Sequence, residues 1–160
     1  MGGSDSNAGT SAGAAWRTIQ KALNAGSIAD TTIANTIWIG AGTYRETLTT
    51  PLTNPTALQS FVADYDGAQT GDAGPVILST WTAGDFGSGL GVTRPLDISK
   101  DFLSFSGVWV LSHSNGVLIQ AGSNNITFTR CAFQHMGNTN NFAATGVADT
   151  NVNILFDRCS

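Results

Sequence analysis

The chain has 160 residues, 41% of them hydrophobic and only 11% charged, with a formal net charge of −4. That length suits one domain able to bury a core. The mild acidity and the lack of basic clusters argue against nucleic acid or an anionic membrane as partner, and no apolar run approaches the ~20 residues needed to span a bilayer. Lysine occurs only at 21 and 100 and glutamate only at 46, while Asn, Thr, Ser and Gly fill the polar positions. A balance poor in helix formers and rich in threonine leans towards β structure.

Residues 1–13 have loop composition and predict an irregular lead-in; they lack the charged and apolar regions of a secretory signal. Trp16, Ile19, Ala22 and Leu23 fall at helical spacing and predict one amphipathic helix over 14–24, with Thr10 or Ser11 near its start and Gly26 after its end. From residue 36 the pattern turns to period two. Strands are predicted at 36–39, 43–48, 58–63, 76–78, 96–98, 103–110, 117–119, 126–133 and 152–156, separated by Gly, Asn and Asp clusters.

The strands repeat. Asn125-Ile-Thr-Phe-Thr-Arg-Cys-Ala-Phe133 returns 28 residues later as Asn153-Ile-Leu-Phe-Asp-Arg-Cys-Ser160, and Phe102-Leu-Ser-Phe-Ser-Gly-Val-Trp-Val110 precedes the first copy by 23. A period of roughly 20–30 residues with one alternating strand per unit is the mark of a solenoid with stacked rungs. Stacking predicts an aromatic column of Phe105, Phe128 and Phe156 beside an aliphatic one of Leu103, Ile126 and Ile154. The fold class is therefore all-β, about four to five rungs over 36–160, in a single domain with one short N-terminal helix. Ser160 falls partway into a rung, so the C-terminal end is expected to be uncapped.

With these features in order, the chain resembles the right-handed parallel β-helix proteins of the pectate-lyase-like superfamily. The resemblance runs through Gly3-Ser-Asp-Ser-Asn-Ala-Gly-Thr10, Trp16-Arg-Thr-Ile-Gln-Lys-Ala-Leu23, Thr36-Ile-Trp-Ile-Gly-Ala-Gly-Thr-Tyr-Arg-Glu46 and Phe105-Ser-Gly-Val-Trp109. It implies a helix plugging the N-terminal end of the solenoid. Enzymes of that superfamily carry calcium-binding aspartates with a basic residue, or clustered aspartates with histidine. The hydrolase patterns Asn-Thr-Asp, Asp-Asp and Gly-His-Gly do not occur here, Asp149-Thr-Asn151 being the nearest approach. The resemblance thus implies an extracellular or virion-surface scaffold or decoration, tailspike-like and trimeric. It would contact polysaccharide or sister subunits without a complete active site. The alternative is the N-terminal part of a polysaccharide lyase or glycoside hydrolase whose catalytic rungs lie beyond residue 160.

Individual residues sharpen this reading. In Ile37-Trp-Ile39 and Val108-Trp-Val110 the aliphatic neighbours point inward, so Trp38 and Trp109 are expected outside. There they are open to a sugar ring or a subunit, or covered by the loop 81–93. Arg130 and Arg158 should stack outward as a basic strip suited to an acidic sugar, or stand as solvated surface arginines. Asp64, Asp66 and Asp72 share one glycine-bearing loop whose oxygen ligands would suit Ca²⁺, and turn-forming aspartates explain the same loop. No other cofactor is expected. His113 and His135 read as turn residues without an orienting carboxylate. Cys131 and Cys159 occupy equivalent inward positions of adjacent rungs and read as stacked thiols rather than a disulfide or a nucleophile.

Overall fold

The structure is a computed structural model that describes residues 3–50, 52–79, 95–111, 115–134, 140–144 and 153–160. Its strands are β1 Asn35–Ile39, β2 Gly42–Tyr44, β3 Leu48–Thr49, β4 Gln59–Ala63, β5 Val76–Ser79, β6 Leu96–Ile98 and β7 Leu103–Ser106. They continue as β8 Val108–Leu111, β9 Asn115–Ile119, β10 Ile126–Thr129, β11 Ala132–Gln134, β12 Asn140–Ala144 and β13 Ile154–Asp157. The strands form three sheets ordered β1-β4-β7-β10-β13 (sheet A), β11-β8-β5-β2 (sheet B) and β12-β9-β6-β3 (sheet C). Every pairing among the described residues is parallel. Among the described residues the chain visits A, B and C in rotation, adding one strand to each sheet per circuit, with no closed barrel. That arrangement is compatible with a parallel β-helix.

Register puts like upon like inside. Ile126 pairs with Leu103 below and Ile154 above, and Phe128 pairs with Phe105 and Phe156. Both expected columns are present, and Phe61 extends the aromatic one downward through its pairing with Phe105. Successive ring centroids lie 5.3, 5.6 and 5.2 Å apart at interplanar angles of 18°, 16° and 7°. Phe133 meets the column edge-on, 5.5 Å from Phe128. A buried phenylalanine stabilises by about 1.5–3 kcal/mol, and ring pairs at such distances add to that. Val76 with Val108, and Leu78 with Val110, line the interior from sheet B. Leu96 with Val117, and Ile98 with Ile119, do so from sheet C.

Below Leu103 the aliphatic column turns polar. Gln59 is wholly buried there and accepts from Asn35 Nδ2 at 2.9 Å, while its own Nε2 donates to the carbonyls of Ile33 and Ala57 at 2.9 and 2.8 Å. A satisfied amide at this place ties residues 31–35 to the first turns of the structure, at little of the cost an orphaned one would carry.

Two expectations at the N-terminus need correction. The helix is shorter than 14–24: a 3-10 turn covers Ala12–Ala14, and α1 runs only Ile19–Leu23. Residues 15–18 cannot be helical because their backbone groups are already engaged. The Ala15 carbonyl accepts from Ser4 N–H and Asn7 Nδ2, and Asp5 takes the N–H groups of Arg17 and Thr18. The cap is Thr18, whose hydroxyl accepts from Lys21 N–H at 3.2 Å, and not Thr10 or Ser11. The lead-in is correspondingly ordered by hydrogen bonds; the Trp16 indole donates to Asn7 O at 2.8 Å.

Helix α1 nonetheless closes this end. Ile19, Ala22 and Leu23 are buried against the core, and Glu46 accepts from Ile19 and Gln20 N–H at 3.1 and 2.9 Å. The Gln20 amide pairs with both backbone groups of Thr49, receiving its N–H at 2.8 Å and donating to its carbonyl at 3.1 Å. That side chain satisfies the edge of sheet C as a neighbouring strand would, which blocks edge-to-edge pairing there.

The sequence also read 103–110 and 126–133 as single strands. Each is two strands on different sheets, broken at Gly107 (φ 71°) and Arg130 (φ 51°). One left-handed residue turns the chain from sheet A to sheet B. Gly107 fits for a second reason, since a Cβ there would stand 3.2 Å from both Ala63 and the Tyr65 ring. Arg158 (φ 50°) makes the same turn after β13. Phe102, Asn125 and Asn153 (φ 56°, 56° and 58°) mark the entry to sheet A.

The column gives a direct test of position within the stack. Phe128 is covered on both faces, so Phe128→Ala should cost roughly 3–5 kcal/mol in urea denaturation. Phe156, 43% exposed above it, should cost clearly less when truncated. Equal losses at the two positions would contradict this packing.

Candidate functional site

Alternation along each strand fixes what faces outward. On sheet A the outer side chains form two columns, Thr36–Ser60–Ser104–Thr127–Leu155 and Trp38–Val62–Ser106–Thr129–Asp157. Over the first four strands this face carries hydroxyls, one valine and one tryptophan, and no charge. With strands about 4.8 Å apart, it is a flat ladder of short polar groups beside an indole. Trp38 is 45% exposed, as its outward position requires.

Trp109 also faces outward, on sheet B, with Ile77 below it and Ala132 above. It is 38% exposed. The two tryptophans thus stand on different sheets and do not form one cradle. The loop 81–93 that could cover them lies outside the described residues, as do His113 and His135.

Arg130 and Arg158 occupy equivalent positions after the neighbouring strands β10 and β13, where Arg130 N–H donates to Asp157 O at 2.9 Å. Both side chains are exposed, as expected. The Arg158 guanidinium is paired: it donates to both oxygens of Asp157, the shortest contact being 2.9 Å. Those hydrogen bonds hold the Asp157 carboxyl below its ordinary range and push Arg158 up. The corner is therefore less basic than two arginines in sequence suggest.

The loop after β4 is organised by its own donors. Asp64 is 3% exposed, and its Oδ2 accepts from Gln69 N–H at 2.9 Å, Thr70 N–H at 2.6 Å and the Thr70 hydroxyl at 2.8 Å. Asp66 accepts from Ala68 N–H, and the Asp72 carbonyl from Ala41 N–H. Gly67 takes φ 71°, where a Cβ would come within 2.9 Å of Ala73 N. Burial pushes the Asp64 carboxyl up, but the Thr70 and Gln69 donors outweigh it and hold the group below 3.8. Among the described residues no three His, Cys, Asp or Glu side chains are gathered to hold a metal ion. These hydrogen bonds account for the loop as a turn.

Cys131 is buried and Cys159 half-buried, both as free thiols. Burial pushes the Cys131 thiol up to about 11, which makes a nucleophilic thiolate there costly. Sequence reasoning missed the hydroxyl ladder. Its signal was present in the Ser and Thr residues alternating with Leu, Ile and Phe in 103–106 and 126–129.

No helix among the described residues is long and apolar enough to cross a membrane. Comparison with protein-family models, curated proteins and solved structures finds no match.

The Asp64 turn makes stability pH-dependent with a definite sign. Because the folded carboxyl lies below the ordinary 3.8, its contribution is complete above that value and fades as pH falls through the folded pKa. Asp64→Ala should therefore melt lower than the parent at pH 7, with the gap in thermal scans narrowing in strong acid. A gap unchanged with pH would mean that the carboxylate charge does not hold this loop.

Proposed function

We propose that the chain winds as a right-handed parallel β-helix of the pectate-lyase-like kind and serves as a rigid scaffold or decoration at a cell or virion surface. Parallel crossovers within one sheet are right-handed in about 98% of cases, which supports the hand. The outward tryptophans are its points of contact with a glycan chain or with sister subunits in a trimer. The observation that carries the reading is Trp38, exposed beside an uncharged ladder of Thr36, Ser60, Ser104, Ser106, Thr127 and Thr129. An indole face rests well on the C–H groups of a sugar ring, and short hydroxyls exchange hydrogen bonds with a neutral glycan without desolvating a charge. The pairing of Arg158 with Asp157 favours neutral over acidic sugars at this surface.

Sedimentation velocity and tryptophan-fluorescence titration with a panel of neutral and acidic polysaccharides test this together. Saturable binding of a neutral polymer, or a trimer, is expected. Trp38→Ala should weaken whichever is found by about tenfold or more. A monomer that binds nothing in the panel would overturn the reading, and release of new reducing ends or unsaturated products would favour a lyase or hydrolase instead.

A further inference from the structure

Two thiols stand one above the other where sheet A passes to sheet B. Ser160 N–H donates to Cys131 O at 3.1 Å and Phe133 N–H donates to Ser160 O at 2.8 Å, which sets Ser160 opposite Ala132 and Cys159 opposite Cys131. The sulfurs repeat the same contacts one rung apart. Cys131 Sγ donates to Phe105 O at 3.4 Å and Thr129 O at 3.6 Å; Cys159 Sγ donates to Phe128 O at 3.4 Å and Asp157 O at 3.6 Å. Phe105 and Phe128 are register partners, and so are Thr129 and Asp157. The two sulfurs are therefore related by one rung, a step of about 4.8 Å.

That step decides between two chemistries. A disulfide needs sulfurs about 2.05 Å apart on Cβ atoms about 3.5–4.5 Å apart, closer than side chains translated by a whole rung. Two thiolates on opposite sides of one metal ion, with the zinc–thiolate length of about 2.3 Å as the guide, place their sulfurs about 4.6 Å apart. We propose that Cys131 and Cys159 form a two-coordinate site for a soft, thiophilic cation of the Ag(I) or Cu(I) type, held between the sulfurs of consecutive rungs. Thiolates select such ions, whereas hard cations seek oxygen.

On binding, both S–H bonds break, two protons pass to solvent and two sulfur–metal bonds form, with no change of oxidation state. The carbonyls of Phe105 and Thr129 lose the Cys131 donor, and those of Phe128 and Asp157 lose the Cys159 donor. Cys159 is the half-buried member, so the ion enters from its side, while Cys131 lies within the core. Because protons are displaced, affinity rises with pH. The inference is independent of the glycan-contact reading.

The test is a titration of the full reduced chain with silver(I) nitrate in chloride-free buffer, following thiolate-to-metal absorption and melting temperature. One ion per chain and a raised melting temperature are expected. Changes around a metal site cost about 10–100-fold in affinity even when the ligands stay, so Cys131→Ser and Cys159→Ser should each lose about 100-fold or more. Cys159→Ser, at the half-buried position, keeps the test open if Cys131→Ser fails to fold. Two ions per chain, undiminished affinity in Cys159→Ser, or no uptake would overturn the site. Oxidation with diamide should leave both thiols titratable after denaturation; a Cys131–Cys159 disulfide in the peptide map would refute the separation on which the site depends.

Discussion

Four phenylalanine rings, Phe61, Phe105, Phe128 and Phe156, lie nearly parallel through sheet A, and the register that aligns them fixes every other column of the molecule. In a parallel ladder a slip of one residue would move each ring to the solvent face. Slippage is therefore opposed by the whole column at once. The same register places Leu103 under Ile126, the outer hydroxyls over one another, and Cys159 over Cys131. Surface and interior are two readings of one alignment.

Stacking leaves the ends to be dealt with separately. At the lower end the solution is a side chain that imitates a strand: the Gln20 amide meets both backbone groups of Thr49. Glu46 satisfies the first N–H groups of α1 from the opposite direction. The helix is short because its place is set by these tertiary hydrogen bonds and not by its own propensity; an isolated helix of that length would not form. Gln59 performs a comparable service inside, joining the segment before β1 to the column above it.

The corners explain why the outer surface is so regular. Turning from sheet A to sheet B through one left-handed residue keeps Gly107, Arg130 and Arg158 in line and lets the strands on either side hold register. A left-handed arginine costs on the order of 1–2 kcal/mol, which the packing of adjacent columns offsets. Where a longer connection is inserted, after β4, the chain needs an internal organiser, and Asp64 fills that role with three donors from Gln69 and Thr70. The Asp64 carboxylate is thus engaged by the turn that carries it.

Period-two alternation and the return of Ile, Phe, Arg and Cys at matching offsets were enough to locate most strands, both core columns and the outward tryptophans, but not to divide 43–48, 103–110 and 126–133 between sheets or to find β12. Those features depend only on which residues lie two apart and on like stacking upon like. Phe61 escaped because its unit shares only Ser-Phe with the next one and carries Gln59 where the later units have Leu or Ile. The boundaries of α1, the breaks at Gly107 and Arg130, the pairing of Arg158 with Asp157 and the saturation of Asp64 were settled only by tertiary structure. Each depends on a hydrogen-bond partner or a left-handed backbone angle that local propensity does not encode. Asp5 is distant in sequence from Arg17 and Thr18, and Gln20 from Thr49, so only folding brings those partners together.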